Sequence, residues 1–207
     1  MKYIQKMDFL LALYIASIVS AELLGSKVFT IFGINASVAI FAWPITFSVN
    51  DIVTEVYGKD RARSFIQTGF IILVCLFCYT FLATLLPPAK RFEMSNEFYV
   101  NVFRSSLRII IASLTAFWLS ERLDVVLFSR IKERFGKKNL WFRNNLSNFI
   151  SQFIDTSLFM MFAFYVPGNF GFIISLIIPY WLLKCGFSII ETPFTYLGVS
   201  WLKNEKT

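Results

Sequence analysis

Residues 65–86 read FIQTGFIILVCLFCYTFLATLL and stop at Pro87-Pro88. The run carries no charged side chain. It is long enough to cross a hydrocarbon core of about 30 Å, which takes roughly 20 apolar residues in a helix. The two prolines close it. Working outward, five further stretches have the same character: Phe9 to Gly25, Ala36 to Val56, Leu107 to Phe128, Leu146 to Val166 and Phe172 to Trp201. The last holds Pro179, Lys184, Gly186 and Pro193, so it is expected to be kinked or broken, as a helix lining a cavity tolerates. The expected fold class is all-α, a polytopic membrane protein with six transmembrane helices and both termini cytoplasmic. The whole chain, 1–207, reads as a single transmembrane domain.

Composition agrees. Of 207 residues, 57% are hydrophobic and 16% charged, and the mean hydropathy is +0.63. A soluble domain of this length carries more charge and less apolar surface. Lys2 and Lys6 ahead of the first apolar run imitate a secretory signal. The run lacks a small-x-small cleavage site followed by a soluble chain, so it reads as the first span. The net charge of +7 does not mark a nucleic-acid binder, because the basic residues sit in short loops rather than along one face. Lys59, Arg61 and Arg63, then Arg130, Lys132, Arg134, Lys137, Lys138 and Arg143, fall on the same side as Lys2, Lys6, Lys203 and Lys206. The positive-inside rule makes that side cytoplasmic. Lys90, Arg91, Arg104 and Arg108 oppose it, partly offset by Glu93 and Glu97. Residues 89–104 read as a separate short amphipathic helix on the outer surface.

Several chemistries are poorly supported. There is no histidine, which removes the usual proton shuttle and the commonest metal ligand. Cys75 and Cys78 form a C-x-x-C inside an apolar run, with no second pair. The serines have no base beside them, and no G-x-x-x-x-G-K-[ST] loop is present. The expectation is a non-enzyme without cofactor or metal.

What needs explaining is the charge inside the apolar runs. An ionisable group at membrane depth costs at least about 2.5–3.5 kcal/mol, so it pairs, faces water or holds something. Asp51 and Glu55 stand at i and i+4 and share a helix face. Glu55 has a bland alternative, an interfacial pair with Lys59 or Arg63. Ser147, Ser151 and Asp155 follow one another at i, i+4 and i+8, flanked by Asn144, Asn148 and Gln152. Interhelical hydrogen bonds account for the amides, while the Asp155 carboxylate points to function. Ser113, Phe117, Ser120 and Asp124 share a face of the fourth run, with Glu121 beside them. Asp124 has an orienting pair with Arg130 or Lys132 as its alternative. Lys184 needs a carboxylate partner, and Asp155, Asp51 or Glu22 could supply it. Glu191 lies further along the sixth run. Glu22 and Lys27 are weaker cases, since Lys27 can snorkel to the surface. Carboxylates from three runs and a lysine from a fourth can ring one cavity for a flat ligand rich in N–H donors, with Trp43 and Trp118 as stacking surfaces.

These residues carry a resemblance. Pro44–Ile66 (PITFSVNDIVTEVYGKDRARSFI), Ala112–Lys132 (ASLTAFWLSERLDVVLFSRIK), Leu140–Phe164 (LWFRNNLSNFISQFIDTSLFMMFAF) and Lys184–Tyr196 (KCGFSIIETPFTY) are similar to the bacterial queuosine-precursor transporters, vitamin-uptake-type integral membrane proteins. Its most specific signals are the D-x-x-T-E-x-Y-G-x-x-x-A-R and R-N-x-x-S-x-x-x-S-Q-x-x-D-T runs. The resemblance implies a secondary importer of 7-cyano- or 7-aminomethyl-7-deazaguanine across the bacterial inner (plasma) membrane. The alternative is the substrate-capture subunit of an ATP-driven vitamin-type uptake complex. Carried over by position, Asp51, Thr54, Glu55, Asp124, Asn144, Ser151, Gln152, Asp155 and Lys184 match polar family positions. Protons and a second copy of the chain are the other partners it leaves open, besides the lipid bilayer. Where the family often reads A-N and S-Q, this chain has Ala21-Glu22 and Ser120-Glu121. The added carboxylates point toward a protonated, aminomethyl-bearing base.

Overall fold

The computed structural model describes residues 3–31, 34–135 and 140–203. For residues 3–5, 31, 34, 59, 117, 120–135, 140–148, 151, 187–192, 194 and 195 it describes the backbone alone. Six α-helices carry the described chain: α1 (Tyr3–Leu24), α2 (Trp43–Tyr57), α3 (Lys59–Leu85), α4 (Glu93–Phe135), α5 (Leu140–Phe164) and α6 (Phe170–Lys203).

The protein is mostly helical, with one departure from an all-α architecture. Strands β1 (Val28–Ile31) and β2 (Ile34–Ser37) pair antiparallel, with Val28 opposite Ser37. The stretch from Ala36 to Val56 is consequently not one helix. It leaves β2, makes a 3-10 turn over Val38–Phe41, and becomes α2 only at Trp43. Two local signals set this break. Ser37 is buried, donates to the Gly25 carbonyl at 2.6 Å and accepts from the Ala39 N–H at 3.2 Å, capping the turn. Pro44 sits in the first turn of α2, where its missing N–H costs nothing.

Other boundaries shift for equally local reasons. Residues 89–104 do not form a separate helix. From Glu93 onward they are the start of α4, because neither Gly nor Pro interrupts the sequence before Phe135. α6 runs through both Pro179 and Pro193 as one helix. Gly58 takes φ +86° and ψ 171° between α2 and α3, a backbone region open essentially to glycine alone.

The helices run alternately between two ends of the bundle. At one end Lys6, buried near the start of α1, donates to the Trp201 carbonyl of α6 at 2.8 Å and lies 4.7 Å from that indole's centroid. Glu55 at the end of α2 pairs with Lys203 at 3.7 Å there. At the opposite end Ser106 of α4 donates to the Leu23 carbonyl closing α1, at 2.9 Å. Arg108 donates to the carbonyls of Phe162, in the last turn of α5, and Tyr165, just beyond it, acceptors that the helix end leaves open.

Two apolar clusters hold the bundle. One joins Ile109, Ala112 and Ala116 of α4 to Met160 of α5 and Ile173, Leu176 and Tyr180 of α6. The other joins Leu10, Tyr14 and Ile18 of α1 to Val49 and Val53 of α2 and Phe65 of α3. Small residues let backbones approach. A Cβ on Gly69 would stand 2.9 Å from Ile18 Cδ1, and one on Gly198 would collide with Ile52.

α3 places the protein in a membrane. Over Asp60–Leu85 it is among the most apolar parts of the chain, yet only 11% of its most apolar window is buried inside the protein. Ile71, Tyr79, Leu82 and Leu85 are more than half exposed. A core helix of a soluble protein is covered by its neighbours, so this outward apolar surface needs lipid around it. Lys6–Leu24 of α1 is likewise long and apolar enough to cross.

Candidate functional site

Between the two clusters lies a cavity of about 430 Å³ to which all six helices contribute. That volume is within the roughly 300–1,000 Å³ usual for small-molecule sites. Each helix offers one face at helical spacing. α1 presents Tyr14, Ile18 and Glu22, and α2 presents Trp43, Thr46, Phe47 and Asn50. α3 closes one wall with Ile66, Gly69, Phe70 and Leu73, and α4 adds Ser113, Leu114 and Ala116. Gln152, Asp155 and Phe159 come from α5, Tyr180 and Lys184 from α6.

Its polar groups form two sets. In the first, Lys184 Nζ donates to Asp155 Oδ2 at 3.2 Å, bridging α6 to α5. The same ammonium is 5.9 Å from the Trp43 ring centroid and 5.8 Å from that of Tyr180. Gln152 stands one turn before Asp155, its Oε1 4.0 Å from the Cys185 thiol. In the second set the groups are buried and unused. Glu22 is 1% exposed, and neither carboxylate oxygen has a hydrogen-bond partner among the described residues. Ser113 lies within reach of Glu22 but closes no hydrogen bond of good geometry. The Tyr180 hydroxyl and Asn50 Oδ1 are also unpartnered among the described residues. A buried polar atom without a partner costs about 1–3 kcal/mol, more for a charged group, so five of them on four residues around one cavity make it a candidate site for a ligand's polar edge. The flat surface is Trp43, stacked on Phe47 with centroids 5.9 Å apart and planes 23° from parallel.

Of the residues singled out from sequence, the cavity gathers Trp43, Gln152, Asp155 and Lys184. Asp155, one of three carboxylates considered for Lys184, is its partner. Asp51 and Glu55 do share a face, but it is the exposed one. Glu55 pairs with Lys203 of α6, while Arg63 turns to Asp60 at 3.7 Å. Trp118 is 49% exposed and outside the cavity lining. The side chains of Asp124, Asn144, Ser151, Glu121 and Glu191 lie outside the described residues.

Asn50, Tyr14 and Tyr180 enter a site that sequence reading gave to other residues, and Glu22, in that reading a weaker case and a candidate partner for Lys184, joins them. The Asn50 case is instructive. Adjacent residues on an α-helix point about 100° apart, so Asn50 faces inward and Asp51 does not. The available signal was the i, i+4, i+8 series Tyr14-Ile18-Glu22, which puts Glu22 on the same stripe as two buried core residues.

Comparison with known proteins agrees with this architecture. Over residues 37–198 the chain matches the family described as "Putative vitamin uptake transporter". It is 29% identical over 189 residues to a Bacillus subtilis protein named "Probable queuosine precursor transporter", covering 91% of this chain and 82% of that one. A Haemophilus influenzae protein of the same name is 26% identical over 141 residues, 67% of this chain and 56% of that protein's length. No solved structure matches the chain. With a family match across most of its length, apolar helices turned outward and a central cavity, the chain belongs to the queuosine-precursor transporter family and is a membrane transport protein.

Proposed function

We propose that this protein is a secondary importer of 7-deazaguanine bases, the queuosine precursors, across the bacterial inner membrane. The chain crosses six times as one membrane domain, with both termini cytoplasmic. The basic residues at the Lys6–Trp201 end support that orientation, since Lys59, Arg61 and Arg63 follow α2 there. The observation that carries the reading is the six-helix cavity and its unused polar atoms. A 7-deazaguanine presents N–H donors along one edge, a carbonyl acceptor beside them, and a flat ring. The Asp155 carboxylate and a carboxyl oxygen of Glu22 are acceptors for the N–H edge. Lys184, Ser113 and Tyr180 are donors for the carbonyl, and Gln152 and Asn50 can serve either group. Trp43 stacks on the ring, a contact worth about 1–3 kcal/mol for a nucleobase.

Uptake of radiolabelled 7-deazaguanines into cells unable to make them tests this. Cells expressing the wild type accumulate label, and Asp155→Asn loses most of it at equal membrane abundance. Asp51→Asn, altered on the exposed face, keeps it. An inert wild type, or full uptake by Asp155→Asn, refutes the proposal.

A further inference from the structure

The cavity's charges do not balance, and this deepens the function just proposed, on which it rests. Among the described residues the lining holds two carboxylates, Glu22 and Asp155, and one cation, Lys184. Lys184 is bound to Asp155, so those two charges cancel. Glu22 remains, 1% exposed, both oxygens unpartnered among the described residues. Among the described residues, nothing lining the cavity from the neighbouring helices can neutralise it. α2 offers Asn50 and Thr46, α3 no titratable group, and α4 Ser113. α5 brings Asp155, which is itself negative. α6 brings Tyr180 and the committed Lys184, and α1 itself adds Tyr14.

A lone carboxylate removed from water takes up a positive charge rather than remaining bare. We infer that Glu22 makes the loaded cavity admit one positive charge with each cargo. With a neutral base that charge is a proton on Glu22. With a base bearing an ammonium it is the base's own charge, and Glu22 gives up its proton. The step balances: the cationic base binds and one proton leaves the Glu22 carboxyl, whereas the neutral base binds the already protonated site. Neutral cargo therefore brings a proton with it, and cationic cargo does not.

The test is calorimetric binding to the purified full chain in lipid nanodiscs, with 7-cyano-7-deazaguanine (neutral) and 7-aminomethyl-7-deazaguanine (cationic), from pH 6 to pH 8. The neutral base needs protonated Glu22, so its affinity falls or holds level as pH rises. The cationic base needs ionised Glu22, so its affinity rises or holds level. One proton separates the two complexes, so the ratio of cationic to neutral affinity climbs about tenfold per pH unit, whatever the proton affinity of Glu22. Over the range the ratio rises about 100-fold. Glu22→Gln abolishes that climb, and Glu22→Asp retains it. If both bases bind the wild type with a pH-independent ratio, the inference is overturned and the importer reading stands. If the climb survives in Glu22→Gln, another group carries the charge and the assignment to Glu22 is wrong. If neither base binds, the importer reading falls and this inference with it. If Glu22→Gln does not fold, the wild-type slope still decides whether the two cargoes differ by one bound proton, and its absence overturns the inference.

Discussion

Replacing Asp155 by Asn separates what the Lys184–Asp155 pair does for stability from what it does for transport. The charged atoms are 3.2 Å apart, with side chains 11% exposed for Lys184 and 31% for Asp155. At that separation and an effective dielectric of about 20, the Coulomb attraction is about 5 kcal/mol. Desolvation of both charges and the partial exposure of Asp155 offset more than half, leaving a net coupling of roughly 2 kcal/mol. Asp155→Asn keeps the shape but takes the charged partner from a nearly buried ammonium, while Lys184→Met takes the cation from the carboxylate. Each single change is expected to cost about 2–3 kcal/mol in SDS-induced unfolding from mixed micelles. The double variant is expected to cost about as much as one single change, since neither charge is then left alone. Uptake is expected to stay lost in all three, because both groups line the cavity proposed to hold the cargo. Additive costs in the double variant would falsify the pairing. Recovery of uptake together with stability would show the pair to be scaffold, with the cargo held elsewhere.

Three more outcomes follow from single sites. Trp43→Ala should weaken base binding by roughly 10- to 100-fold, the loss of one stacking surface, and Trp43→Phe should retain most of it, as read by calorimetry. Gly58→Ala should cost about 1–3 kcal/mol in the same unfolding assay purely through backbone strain, because a Cβ there meets nothing within 4 Å; an unchanged stability would mean the α2–α3 junction adopts another conformation. Gly198→Leu should destabilise by about 1–3 kcal/mol through its collision with Ile52, and Ile52→Ala in the same chain should recover much of that loss. A double variant no better than Gly198→Leu alone would refute close packing of α2 on α6.

The sequence alone determined the medium and the six apolar runs, though not every helix boundary within them. Runs such as 65–86 have no other stable place than lipid, and within lipid every backbone group must be satisfied inside its own segment. It also showed that Asp155 and Lys184 needed partners, since neither is tolerated alone at that depth. Tertiary structure decided which side of each helix looks inward. In a soluble helix the polar face announces the outside, but lipid is as apolar as a protein core, so hydrophobicity hardly distinguishes the two faces. Hence Asp51 was legible as an anomaly but not as an outward one, and Asn50, one residue earlier, passed unnoticed. From sequence Glu22 was a weaker case at the end of the first span and one of three candidate partners for Lys184. It became the cavity's uncompensated charge only because β1, β2 and the first residues of α4 fold over that end, with Ser106 fastened to Leu23 and Ser37 to Gly25. Those contacts join residues far apart in the chain, and no local pattern encodes them.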